Sequence, residues 1–373
     1  MAHAAEPKHF ADGDVTIETR NAVAVITLNR PRALNALTNA MRQEIAKALP
    51  IFARDPVIYA LVIRSASDRA FCAGGDVREL VSLAESDLSA AHEALAFEYR
   101  LNWMLECFPK PTVSLIDGFV AGSGVGLTSF GTHKVAGPNY RFAMPETVIG
   151  LFPDVGICHP LARLPDEIGT YLALTGNTIE RDDARALDLA SHRADGAVFD
   201  EIVDELADAK PIDALLDRLC GSAETEATPT GGAVYSKRNQ IQDWFSGSSV
   251  TDIFDRLETA AKEGSGDARL FAANTLETLR SRSPISLVVT LRHLRAAADM
   301  DIRETLIGDY RLAQQFLADR DFAEGVRALL IDKDRSPNWQ VASIADVTGE
   351  TLAPYFDDHK GEPLELPLRE DMQ

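Results

Sequence analysis

The four cysteines of this 373-residue chain, Cys72, Cys107, Cys158 and Cys220, lie far apart and form no CxxC pair. Neither a zinc knuckle nor a disulfide framework is indicated, and a reducing cytoplasm fits best. The eight histidines show no ligating rhythm: His133 and His159 are isolated and no H-E-x-x-H occurs, so no metal site is expected. Positive charge is also in short supply. Lys plus Arg number 37 against 57 Asp plus Glu, and the formal net charge of −20 argues against general affinity for nucleic acid or an anionic membrane. An anionic ligand would need a local basic patch. No run of 18 apolar residues appears. The start, Met1 to Lys8, has neither the apolar core of a secretion signal nor the Arg-rich, acid-free character of a mitochondrial presequence. Insertion into a membrane is not expected.

Shorter apolar patterns are plentiful, and the length predicts two domains or one domain with a sizeable extension. Val23 to Asn29 and Val57 to Ile63 are β-branched runs ending near turn residues and read as strands, as does Thr112 to Ile116. Between the first two, Thr38 caps a helical pattern of Met41, Ile45, Leu49 and Phe52, whose end Pro50 should kink or shorten. Ala73-Gly-Gly-Asp76 opens another helix, and Ala90 to Phe108 reads as a longer amphipathic one. Strands alternating with helices indicate an α/β core with a repeated strand-strand-helix unit. From about Arg181 the strand signal gives way to helical patterns at 250–262, 268–279 and 301–317. Gly221 to Gly232, small, polar and rich in breakers, reads as a linker, and 361–373 as a loose tail.

Three segments carry candidate chemistry. In Ala143-Met-Pro-Glu146-Thr-Val-Ile-Gly-Leu-Phe-Pro-Asp154-Val-Gly156 the prolines and glycines oppose one uninterrupted helix, so the segment should fold back on itself. Glu146 and Asp154 stand in an apolar stretch, where a carboxylate is costly to bury without a partner or a reaction. They are candidate acid, base or nucleophilic groups, although a helix cap and a surface turn account for the spacing equally well. Ala70 to Asp76 and Asp117 to Leu127 hold glycines where strands end and helices begin. Free N–H groups there can hold an anion or a developing oxyanion; the alternative is close packing of helix on strand by small residues. The two-residue steps of Gly122, Gly124 and Gly126 miss the dinucleotide fingerprint, and Ala121 stands where a serine nucleophile elbow requires glycine. Glu98, on the long helix, reads as solvated helix charge.

Taken together, Asn29-Arg-Pro-Arg-Ala-Leu-Asn-Ala-Leu37, Arg69-Ala-Phe-Cys-Ala-Gly-Gly-Asp76, the Gly118 to Leu127 loop and Phe142 to Gly156 resemble the crotonase superfamily, and within it the 3-hydroxyisobutyryl-CoA hydrolase branch. The likeness continues through Leu172 to Gly176, Ser283 to Leu287 and Asp321 to Asp334, so it spans residues 15 to 345.

The resemblance implies an α/β fold: a crotonase-like spiral of repeated β-β-α units at 15–195, followed by a helical C-terminal region at 196–357, with tails at 1–14 and 358–373. It implies an oxyanion hole from the backbone N–H groups of Gly75 and Ser123, the second of which is more often glycine in the family. Glu146 and Asp154 would be catalytic, and Glu98, Ser123, Glu146 and Asp154 would contact the acyl group. Arg32, Ala33, Leu34, Ala73, Gly75 and Asp76 would bind CoA. Coenzyme A is then part of the substrate, with no separate cofactor or metal. Homo-oligomers are an option, because crotonase relatives often form trimers or hexamers, while the helical half offers cover for the same surface. Hydratases of the superfamily carry two catalytic glutamates, which would fall at Gly126 and Glu146, and usually a small residue in place of Asp154. This pattern favours hydrolysis of a 3-hydroxyacyl-CoA such as 3-hydroxyisobutyryl-CoA, a step of valine breakdown. An enoyl-CoA hydratase or isomerase and a noncatalytic acyl-CoA-binding protein are the competing readings.

Overall fold

The computed structural model describes residues 8–220, 231–356 and 361–372. Residues 221–230, nearly all of the expected linker, and residues 1–7 lie outside the described residues. Among those described, eleven strands form two sheets: β1 (Lys8–Ala11), β2 (Val15–Arg20), β3 (Val23–Leu28), β4 (Ala60–Ser65), β5 (Ala70–Cys72), β6 (Thr112–Ile116), β7 (Phe119–Ala121), β8 (His133–Ala136), β9 (Arg141–Ala143), β10 (Ile179–Glu180) and β11 (His192–Arg193). The larger sheet has the order β1-β2-β3-β4-β6-β8-β11 and the smaller one β10-β9-β7-β5. Each turn of the spiral places one strand in the large sheet and the next in the small one, as β4/β5, β6/β7 and β8/β9 do.

Side chains alternate across a strand, so a run buried on both faces serves two cores. Ala24, Ile26, Leu28, Leu61 and Ile63 join the main core. Their neighbours Val23, Val25, Ala60 and Val62, with Val113, Leu115 and Val135, join a second core on the opposite face. Helices Phe199–Ala207 and Ile212–Cys220 close that face with Ile202, Val203, Leu206, Leu215 and Leu216. These two helices pack on the sheet although they lie beyond residue 195, where the helical region was expected to begin.

What positions the site is the small sheet. Strands β5, β7 and β9 run parallel, with Cys72 opposite Val120 and Ala121 opposite Ala143. Their carboxyl ends therefore emerge side by side, and so do the segments that follow: Ala73 to Asp76, Gly122 to Ser123 and Met144 to Glu146.

Among the described residues after 230, helices dominate, including Val250–Glu263, Gly266–Arg280, Pro284–Ala297, Ile302–Ala318 and Arg320–Val326. Ser283 caps the third of these with Pro284 at its first position, and Asp301 with Glu304 forms a reciprocal capping box on the fourth. Their buried residues extend the main core rather than building a separate one.

Three expectations need correction. Helix Asn39–Arg54 runs on past Pro50, held by fully buried Phe52 and by Lys110 Nζ, which donates to the carbonyls of Phe52 and Asp55. Strand structure persists beyond Arg181, since β11 pairs in parallel with β8. Residues 361–372 are anchored rather than loose: Leu364 and Leu366 are buried, Trp103 Nε1 donates to Pro367 O at 2.9 Å and Gln314 Nε2 to Glu362 O at 2.9 Å.

Candidate active site

One cavity of about 670 Å³ gathers the side chains and loops that the sequence singled out: Arg32, Ala33, Leu34, Ala73, Gly75, Asp76, Glu98, Ser123, Glu146 and Asp154 all line it. The loop at 34–37 is zipped to the one at 73–76. Ala73 N donates to Leu34 O, Leu37 N to Gly74 O and Asp76 N to Leu37 O, at 2.9–3.0 Å. Gly75 N is passed over in this ladder and has no acceptor among the described residues. Ser123 N is likewise without one, because Ser123 opens helix Ser123–Thr128 and a first-turn N–H has no carbonyl behind it. Gly122 takes the left-handed φ of +47° at this turn, and Ser123 is spared it.

The two strand ends hold these donors firmly. Arg30 Nη1 donates to Asp76 Oδ2 at 2.9 Å, and Asp76 also caps helix Val77–Ser86. Leu34 and Asn35 have φ of +51° and +56°, a conformation sustained by Asn35, whose Nδ2 reaches Ser65 Oγ and Phe71 O. A Cβ on Gly75 would stand 2.8 Å from Arg42 Nη2 and 2.9 Å from Ser123 Oγ.

Glu146 opens a short 3-10 turn, Glu146–Ile149, that ends at Gly150 with φ +70°. The segment folds back on itself as its prolines and glycines predicted. Glu146 is buried, and its Oε2 has no hydrogen-bond partner among the described residues. Its Oε1 stands 3.1 Å from where a Cβ on Gly122 would sit, so the carboxylate borders the second glycine loop. Burial, and then the nearby charge of Asp154, push its proton affinity well above the usual carboxylate range. Asp154 is buried too and accepts from Tyr99 Oη at 2.8 Å. Burial, with the charges of Glu98 and Asp309 added, raises its proton affinity against the lowering pull of Tyr99. Neither acid is a surface turn.

Glu98 is also buried, not solvated. Its Oε2 pairs with Arg42 at 2.8 Å, and Arg42 Nη2 donates to Ser123 Oγ at 3.1 Å. A buried carboxylate needs such a partner. Sequence reasoning missed Arg42, Tyr99, Asp309 and His293. The available signal was charge on an apolar stripe: Glu98 continues the row of Ala91 and Leu95, and Asp309 that of Ile302 and Leu306. Among the described residues, no cluster of three or more His, Cys, Asp or Glu is placed to hold a metal ion. No helix among them is long and apolar enough to cross a membrane.

Residues 23–356, which include the glycine loops and the turn bearing Glu146, match a known family model, enoyl-CoA hydratase/isomerase. The chain belongs to this family. Among its relatives is a Bos taurus protein named mitochondrial 3-hydroxyisobutyryl-CoA hydrolase, 37% identical over 351 residues, 93% of this chain and 89% of that protein. The Homo sapiens protein of the same name is 37% identical over 363 residues, covering 95% and 92%. Among solved structures, one named carnitinyl-CoA dehydratase, from Mycobacterium thermoresistibile, superposes with a TM-score of 0.85 at 33% identity, covering 95% of this chain and 99% of the other. Another, named enoyl-CoA hydratase, from Rhodobacter sphaeroides 2.4.1, has a TM-score of 0.85 at 35% identity, covering 95% and 100%. The fold of this family member is thus the crotonase fold, as its sequence motifs implied. One position bears on the reaction within the family. A Cβ on Gly126 would meet Asn102 Nδ2 at 2.7 Å and Val155 Cβ at 2.9 Å, so a larger residue there would require these neighbours to shift.

Proposed function

We propose that this chain hydrolyses a short 3-hydroxyacyl-CoA thioester, with 3-hydroxyisobutyryl-CoA as the leading substrate, in line with relatives bearing that name. One observation carries the mechanism: two backbone donors and a buried carboxylate oxygen, none of them with a partner among the described residues, border the same cavity. The thioester oxygen accepts from Gly75 and Ser123, where preorganised N–H groups meet the charge that develops as the carbonyl becomes tetrahedral. Glu146, ionised in both cases, supplies the attack by one of two routes: its carboxylate oxygen adds to the thioester carbon, the C–S bond breaks and water then cleaves the resulting anhydride to free the acid and restore Glu146, or Glu146 takes a proton from a water that adds to the carbon directly. Asp154, with its raised proton affinity, gives a proton to the departing thiolate. A thiol of pKa about 8.5 is a fair leaving group, so oxyanion stabilisation outweighs acid catalysis.

Glu98 reads the 3-hydroxyl. With Oε2 held by Arg42, its Oε1 takes no protein hydrogen bond among the described residues, and an acyl group without the hydroxyl would leave it unmatched. The CoA moiety lies along Arg32 to Leu34 and Ala73 to Asp76, with Arg32 supplying local positive charge in an acidic protein. The crowded site of Gly126 supports hydrolysis over hydration, which uses paired glutamates around a bound water.

Thiol release from a panel of short acyl-CoAs tests this reading. The 3-hydroxyacyl thioesters are expected to be cleaved fastest. Glu146→Gln should lower kcat about 1,000-fold and Asp154→Asn about 100-fold, within the range for general acid–base groups. Hydration of crotonyl-CoA without thiol release would establish the hydratase reading instead. Rapid cleavage indifferent to both substitutions would remove the roles assigned to the two acids.

A further inference from the structure

We infer that the buried pair Asp309 and His293, contributed by two C-terminal helices, is a positioning device for Asp154: it fixes the left-handed turn that presents this carboxylate and shapes the charge around it. Asp309, on helix Ile302–Ala318, is fully buried, and its Oδ2 accepts from Gly156 N at 2.6 Å. Its Oδ1 lies 2.6 Å from Nε2 of His293, itself buried on helix Pro284–Ala297. Between Asp154 and Gly156 stands Val155 with φ of +54°. A β-branched residue in the left-handed region is strained and persists only where its surroundings hold it. Asp309 grips the chain one residue after Val155, and the His293 ring packs edge-on against Phe152 at 5.6 Å. The turn is therefore held on both sides by the same pair.

Neither Asp309 nor His293 lines the cavity, so both act through Asp154. Around that carboxylate stand Tyr99 and Glu98 from helix Leu88–Glu106, Glu146 from its own turn, Cys158 and Asp309, with Arg42 and His293 behind Glu98 and Asp309. Asp309 adds negative charge that favours the protonated form of Asp154.

This inference rests on the reading of Asp154 as proton donor to the thiolate. Thiol release by the full chain across pH tests it. Asp309→Asn keeps an acceptor for Gly156 N and removes the charge. Asp154 should then lose its proton more easily, moving the alkaline limb of kcat down by about one pH unit, with KM little changed. Asp309→Ala frees Gly156 N and should lower kcat about 10- to 100-fold, the Asn substitution recovering most of that loss. His293→Phe, which removes the donor to Oδ1, should lower kcat more than His293→Gln, which retains one. If Asp309→Ala does not fold, the Asn variant and the two His293 variants decide. An unmoved alkaline limb with near wild-type kcat overturns the inference, whatever happens to the melting temperature. Wild-type protein that releases no thiol overturns the hydrolase reading and this one with it.

Discussion

Arg42 puts a guanidinium beside Glu98 and Ser123 in the wall of the cavity, with both members of the ion pair only 8% exposed at the side chain. A buried pair of this kind adds little net stability over an apolar replacement of both partners, but removal of one partner strands the other charge. Arg42→Met should therefore destabilise the fold by about 3–5 kcal/mol. Arg42→Met with Glu98→Gln should recover much of that loss, since no charge is then left buried. Urea denaturation of the wild type, both single variants and the double variant measures the coupling. Additive losses would show that the pair is not a unit. The same residues mark a limit of sequence reading. Glu98 looked like solvated helix charge because its partner stands 56 positions earlier on another helix, and no local spacing joins them. Glu146 and Asp154 were legible because apolar residues surround them in the chain itself.

At the scale of elements, the turn that carries Glu146 is pressed from behind by helix Arg320–Val326. A Cβ on Gly325 would stand 2.4 Å from the backbone carbon and oxygen of Ile149, and one on Gly150 2.4 Å from Asp321 O. Backbone meets backbone here, with no side-chain end that can swing away. Gly325→Ala should displace the turn, destabilise the protein by about 1–3 kcal/mol and lower kcat more than it raises KM. Thermal melts and steady-state kinetics on one preparation check both parts; unchanged kcat with a lowered melting temperature would detach this helix from catalysis. Legibility at this scale followed local pattern. The runs at Val23 and Thr112 are continuous, rich in β-branched residues and buried on both faces, while the stripe of Met41, Ile45, Leu49 and Phe52 repeats at the helical period. Residues 361–372 carry a pattern too short to read: only Leu364 and Leu366 are buried in the core, and the backbone carbonyls of Glu362, Leu366 and Pro367 are met by Gln314, Arg303 and Trp103 from distant helices. Sequence composition alone described that segment as loose.

The molecule as a whole carries a net charge of −20 and still buries Glu146, Asp154 and Asp309 within one region. All three acids bind protons more tightly folded than is usual, with burial the leading cause. For such a group the folded state holds more protons than the unfolded one, so stability is greatest at low pH and falls as pH rises through the folded value. The cleft is therefore maintained at a cost that grows toward neutral and alkaline pH, as expected where function opposes stability. Glu146→Gln should expose this cost. The amide does not ionise, and the unpartnered Oε2 shows that little protein hydrogen bonding is lost with the carboxylate. At pH 4, below the ordinary carboxyl value of 4.5, wild type and variant should melt nearly together. At pH 8 the inactive variant should be the more stable by about 1–3 kcal/mol, because an unpaired buried charge has been removed. Melting curves at the two pH values decide the matter: a stability difference that does not widen with pH would mean that Glu146 is solvated in the folded state, and the carboxylate would then lack the poised, water-poor setting that its proposed role requires.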